Sequence, residues 1–209
     1  MKHVALLGDS IFDNAAYVPG KPAVLEQLRN KLPPNWKATL LAVDGHVTED
    51  VLKQAAKLPG DTSHLVISCG GNDALHSSYI LSEPANSVSY VLQRITDVIT
   101  EFQNKYKNML THVLSFRKPT AVCTIYDTVP GLEPIAVTAL AVFNEIILRK
   151  AFVAKVPIID LRLTFTDSAD YSERSPIEPS AIGGEKITQA ISRLLKNHDY
   201  SQKCSVVYT

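Results

Sequence analysis

At 209 residues, 45 % of them apolar and 20 % charged, the chain carries enough apolar material for one domain with a substantial core. Lysine plus arginine and aspartate plus glutamate each number 21, so no net field draws it to nucleic acid, an anionic membrane or a polyanionic substrate. A small partner of neutral or mixed polarity is expected, with oligomeric state left open, and no apolar run reaches the ~20 residues that span a bilayer.

Met1 leads almost directly into strand-like His3-Val4-Ala5-Leu6-Leu7, without a basic n-region, long apolar stretch or cleavage site. A cytoplasmic location is therefore the expectation. Cys69, Cys123 and Cys204 are odd in number and lack metal-ligand spacing; they are read as reduced and mostly buried.

In chain order, the first strand is expected at residues 3–8, followed by a helix whose core face is Val24, Leu28 and Leu32. A strand at 37–43 precedes a helix marked by Val47, Val51, Ala55 and Leu58. A strand at 64–69 precedes one marked by Val88, Val91, Ile95, Val98 and Phe102. Strand 119–126, a helix from about Ala136 to Lys155, strand 156–161 and a last helix with Ile187, Ile191 and Leu194 on one side complete the series. The strands are nearly apolar throughout, as expected when helices cover both faces of a sheet. Strict alternation of strand and helix argues for right-handed βαβ units and a parallel sheet. The fold class is α/β: a flavodoxin-like three-layer α/β/α sandwich with five parallel strands, one domain over 1–197 and a tail over 198–209. Ser205-Val206-Val207-Tyr208 in that tail reads as a strand that docks on this molecule or pairs with a neighbour.

In such sheets ligands bind beyond the carboxyl ends of the strands. Those ends carry Gly8-Asp9-Ser10-Ile11, Asp44-Gly45-His46 and Gly70-Gly71-Asn72-Asp73, and Pro176-Ile177-Glu178-Pro179-Ser180 with Gly183-Gly184 precedes the last helix. Each alone is ordinary turn and cap chemistry. Together they supply what acyl transfer needs. A serine at a tight strand-to-helix turn projects its hydroxyl above the sheet, while the Ser10 N–H, the Gly45 N–H and the Asn72 side-chain amide offer donors to a developing oxyanion. Asp9 and Asp13 lack the spacing of an aspartyl phosphatase, and their charge argues against phosphate or flavin; Asp9 is assigned to the turn.

These residues resemble the SGNH or GDSL hydrolases from about Val4 to Lys196. Gly8-Asp9-Ser10 looks like the first block, Gly45 the second, and Gly70-Gly71-Asn72-Asp73 the third and most specific. Asn144 and Ile159-Asp160-Leu161 look familial in structural roles. The resemblance implies a serine esterase, thioesterase or acylhydrolase with Ser10 as nucleophile, an ester as small-molecule partner, and no metal or organic cofactor.

The last block departs from the pattern. The family reads Asp-x-x-His-Pro there, whereas this chain has Ser175 at the Asp position and Glu178 at the His position, before Pro179. A carboxylate of reference pKa about 4.3 is a weaker base than an imidazole near 6.5, unless burial raises it. Glu178 as base is one route, and His46, beside the oxyanion glycine, is a surrogate, with His76 behind it. The other histidines, His3, His64, His112 and His198, fall away from the crevice. Two further readings stand beside the esterase: a non-catalytic binding protein for an acylated sugar or metabolite, and, more weakly, a nucleotide or flavin binder. Specificity is assigned to loops 11–20, 76–86 and 127–136, where Tyr17, Tyr79 and Leu132 either line a pocket or cover the core.

Overall fold

The central apolar runs become strands buried on both faces, whereas the run at the sheet edge, Trp36–Leu40, is buried only at Ala38. In the computed structural model, which describes residues 1–209, the first half of the chain forms β1 (Lys2–Gly8), α1 (Val24–Lys31), β2 (Trp36–Leu40), α2 (Asp50–Ala55), β3 (His64–Ser68), α3 (Gly71–Ser77) and α4 (Val88–Ser115). The second half forms β4 (Thr120–Cys123), α5 (Pro134–Ala154), β5 (Ile158–Ile159), α6 (Leu161–Thr164), β6 (Tyr171–Ser172), β7 (Ser175–Pro179), α7 (Ala181–Asn197) and β8 (Val207–Tyr208). The main sheet has the order β2-β1-β3-β4-β5-β8, and every neighbouring pair is parallel. No helix is long and apolar enough to cross a membrane.

Side chains alternate across each strand, which divides the interior into two cores. Val4, Leu6 and Val66 pack with Val24 and Leu28 of α1 and with Ile187, Ile191 and Leu194 of α7. Ala5, Leu7, Leu65 and Ile67 pack on the other face with α2, α4 and α5 through Val51, Phe102, Tyr106 and Ile147. A side chain of this kind contributes about 1.5–3 kcal/mol when fully buried. The sheet changes direction at β1, with β2 on one side and β3 on the other, which opens the crevice between the turns that follow β1 and β3.

Six strands replace the expected five, because the tail docks on this molecule. The Ile158 N–H donates to Val206 O at 2.9 Å, and the Asp160 N–H to Tyr208 O at 2.9 Å. The expected strand at 119–126 ends at Cys123 because a side chain takes over the next ladder position. Asn144 Oδ1 accepts from the Ile125 N–H and its Nδ2 donates to Ile125 O, each at 2.8 Å. The run 37–43 loses regular pairing when the N–H groups of Leu41 and Ala42 both turn to Leu6 O.

The expected core stripe on α4 fades toward the start of this 28-residue helix. Phe102 is buried and Val98 packs on the same core, whereas Val91 is 39 % exposed and Val88 77 % exposed. Val47 and Leu58 lie outside α2, and His112 lies in the last turn of α4. The stretch 176–179 that precedes the last helix belongs to the antiparallel hairpin β6–β7, with Tyr171 opposite Pro179 and Ser172 opposite Ser175. Prolines are tolerated there because both strands are edges.

Candidate active site

β1 ends against β3 in a contact that only glycine fits. A Cβ on Gly8, whose φ is +131°, would lie 1.7 Å from Ser68 O. The chain then turns sharply: Asp9 O accepts the N–H groups of Phe12 and Asp13 at 3.1 Å, and Asp9 Oδ1 accepts that of Ile11 at 3.1 Å. Ser10 emerges at this turn, 5 % exposed, and its backbone N–H donates to no protein acceptor. Gln54 braces the turn from α2. Its Oε1 accepts the Gly8 N–H and its Nε2 donates to Gly8 O, both at 2.7 Å, while the second amide hydrogen reaches His46 Nδ1 at 3.0 Å.

Asn72 opens α3, directly after β3. Its Nδ2 donates to His46 O at 2.9 Å, which ties α3 to the turn holding Gly45. An amide nitrogen carries two hydrogens, so one remains free. Gly45 is exposed at that turn, with open space where a Cβ would stand, and its N–H also lacks a protein acceptor. Asp73 secures the same connection from below, with Oδ2 accepting both the N–H and the hydroxyl of Thr48 at 2.9 Å.

Glu178 reaches the crevice from the opposite side, on β7. The carbonyls on either side of it are both held. Tyr126 donates its hydroxyl to Ile177 O, and Asn14 Nδ2 donates to Pro179 O at 3.2 Å. Asn14 is wholly buried and its Oδ1 also accepts the Val24 N–H at 2.9 Å, so one side chain links the loop after Ser10, α1 and β7. Tyr126 is stacked on Phe165 with ring centroids 4.5 Å apart. Glu178 as a residue is 5 % exposed, and its Oε2 is buried without a hydrogen-bond partner. Burial pushes its pKa up to about 7; the Ser10 hydroxyl draws it back and the charge of Asp44 raises it further. Burial likewise lifts Asp9 to about 8, against the Ile11 N–H and with help from the charges of Glu178 and Asp73. At neutral pH Asp9 is therefore largely protonated and adds little charge beside Ser10.

Ser10, Asn72 and Glu178 line one cavity of about 180 Å³, two thirds of whose lining residues are hydrophobic. Leu132 belongs to its wall, whereas Tyr79 is 58 % exposed and Tyr17 donates to Asp44 Oδ2 at 2.8 Å on the rim. Gly45 and His46 stand beside the cavity rather than in its wall, and His76 is exposed on α3. Ser175 pairs with Ser172 across the hairpin and makes no hydrogen bond to Glu178. Asn14, Gln54 and Tyr126 were invisible to sequence reasoning.

A family profile described as "GDSL-like Lipase/Acylhydrolase family" matches residues 6–185. Among solved structures, the chain is similar to the lipase Lip_vut3 from a goat rumen metagenome at 17 % identity and a TM-score of 0.73, covering 97 % of this chain and 100 % of that one. It is similar to a phospholipase A1 from Streptomyces albidoflavus at 18 % identity and 0.62, covering 91 % and 99 %. The acetyl xylan esterase Axe2-W215I from Geobacillus stearothermophilus aligns at 15 % identity and 0.64, covering 92 % and 93 %. These likenesses are of fold. No curated protein matches the sequence.

Proposed function

Because the chain belongs to the GDSL-like lipase/acylhydrolase family, a family of ester-bond hydrolases, we propose that it cleaves small acyl esters with Ser10 as nucleophile and Glu178 as general base. The observation that carries this reading is that Ser10, Asn72 and Glu178 border one cavity, although they come from three separate elements.

In this mechanism the Ser10 hydroxyl attacks the acyl carbon and passes its proton to the Glu178 carboxylate. The carbonyl oxygen becomes an oxyanion, received by the N–H groups of Ser10 and Gly45 and by the free hydrogen of the Asn72 amide. Collapse expels the alcohol, which takes the proton back from Glu178 and leaves an acyl-serine. Water then repeats the sequence, with Glu178 first accepting and then returning the proton. A pKa of about 7 suits both halves of that exchange, since a general base works best when its pKa lies near the working pH. His46 fits the role less well, because Gln54 already donates to its Nδ1 and it lies outside the cavity wall.

A second reading, a binding protein for an acylated sugar or metabolite, draws on one observation: no side chain hydrogen-bonds Glu178 Oε2, so nothing orients that oxygen as an Asp orients the usual His. Hydrolysis of an activated butyrate ester distinguishes the two readings. The esterase reading expects turnover that falls about 1,000-fold or more in Ser10→Ala. Equal rates from both proteins would mean that Ser10 is no nucleophile.

A further inference from the structure

The cavity beside Ser10 is large compared with what an acetyl group requires, and mostly apolar. From the polar end at Ser10, Asn72 and Glu178 it extends under α5, where Ala136, Ala139 and Phe143 line it at helical spacing. Val98 of α4 closes it from another side. An apolar cavity of about 150 Å³ accepts a six-carbon ring and excludes water; this one, at about 180 Å³, holds somewhat more.

The wet side of the site lies elsewhere. Asp44, exposed, is close enough to Glu178 to act on its charge, and it is joined there by Tyr17 and by Asp13, whose Oδ2 accepts the Asp44 N–H at 3.0 Å. The leaving alcohol takes its proton from Glu178, so it departs past this polar group on the rim, and the apolar space falls to the acyl chain.

We infer that the substrates are esters of unbranched medium-chain acids of about six to eight carbons, with the chain lodged against Ala136, Ala139 and Phe143. This rests on the esterase reading and goes further by naming the acyl group. Small side chains at 136 and 139 make the room, and Phe143, 6 % exposed and packed on Phe102 at 4.7 Å between ring centroids, forms the floor.

The test is a chain-length series of para-nitrophenyl esters from acetate to laurate. Expected is a kcat/KM that rises about fourfold per methylene, the equivalent of ~0.8 kcal/mol for a buried CH2, to a maximum at hexanoate or octanoate. Ethyl octanoate should outrun octyl acetate. Ala139→Phe should lower the octanoate-to-acetate ratio at least tenfold, while Ala141→Phe, on the exposed face of α5, leaves the ratio where it was. Thermal melts check that both variants fold. An acetate optimum, or octyl acetate as the better substrate, overturns the inference. If no ester at all is hydrolysed, the esterase reading fails, and calorimetry with octanamide and acetamide decides the cavity's role: binding of octanamide alone upholds a chain-binding pocket, and binding of neither overturns it.

Discussion

The two walls of the crevice are built on opposite plans. The wall carrying Ser10 and Asn72 consists of turns at the ends of central parallel strands, cross-tied by Gln54, Asp73 and the Asn72 amide. The wall carrying Glu178 is a two-stranded edge hairpin, attached near the carboxylate through Asn14 and the Tyr126 hydroxyl. The first wall fixes donors by over-determining the backbone. The second leaves Glu178 Oε2 unpartnered and otherwise fixes the chain to either side. In the proposed mechanism this suits Glu178, because any hydrogen bond to its charged form beyond that of the Ser10 hydroxyl would lower the pKa further and weaken it as a base.

The contrast breaks most sharply at Glu178. Glu178→Gln should lower kcat/KM about 1,000-fold, within the usual range for a general base, with little change in KM. In the wild type, activity requires the ionised carboxylate, so kcat/KM should be lost as the pH falls through about 7, and the residual rate of the Gln variant should not show this limb. Stability should move the other way. The folded pKa lies above its unfolded value of about 4.5, so ionising Glu178 costs stability as the pH rises from about 4.5 towards 7, and the cost persists above that. The amide carries no such charge. At pH 8.5 Glu178→Gln should gain about 1–2 kcal/mol, after allowing for screening by water on its open side, or ~3–6 °C in Tm; at pH 4 the gain should vanish. A loss of stability at pH 8.5 would show that the carboxylate is not strained by burial.

On the donor wall, Asn72→Ala should cost about 100- to 1,000-fold in kcat, the usual effect of one oxyanion donor. The pH limb near 7 should survive, since the base is untouched. Asn14→Ala tests the hairpin's attachment. It leaves the Val24 N–H and Pro179 O without partners, which should cost about 1–3 kcal/mol in denaturant unfolding, and it should lower kcat about tenfold by letting Glu178 drift. The smallest effect is expected from Tyr126→Phe, about threefold in kcat and ~1 kcal/mol in stability, because the ring stays stacked and only the bond to Ile177 O is lost. A fall as deep as that of Glu178→Gln would assign the hydroxyl to the chemistry itself.

The same contrast explains what could be read from the sequence. Ser10 and Asn72 were legible because short glycine-rich motifs follow strongly apolar strands, and parallel-sheet topology brings such strand ends together. Glu178 was legible only by resemblance, since its hairpin is too short and proline-rich to announce itself as strand. Its raised pKa depends on burial by several elements. Asn14 and Gln54 escaped notice because they bond backbone groups of residues 165 and 46 positions away, and neither residue type signals such a partner. The β8 strand was visible as a pattern, but its docking depended on the exposed edge of β5. The stripe read on α4 followed helical period correctly but serves as core only in its later part, because periodicity shows which residues share a face and not whether anything covers it.

Gly8 carries a consequence for anyone retuning this protein by random mutagenesis. With a carbonyl oxygen standing where a side chain would begin, every replacement there should disappear from a library selected for folded protein, and the neighbouring serine's placement becomes nearly immune to gradual adjustment. Variation that changes what the protein accepts should instead collect in the helices above the sheet, where an added methyl group is tolerated and alters the fit.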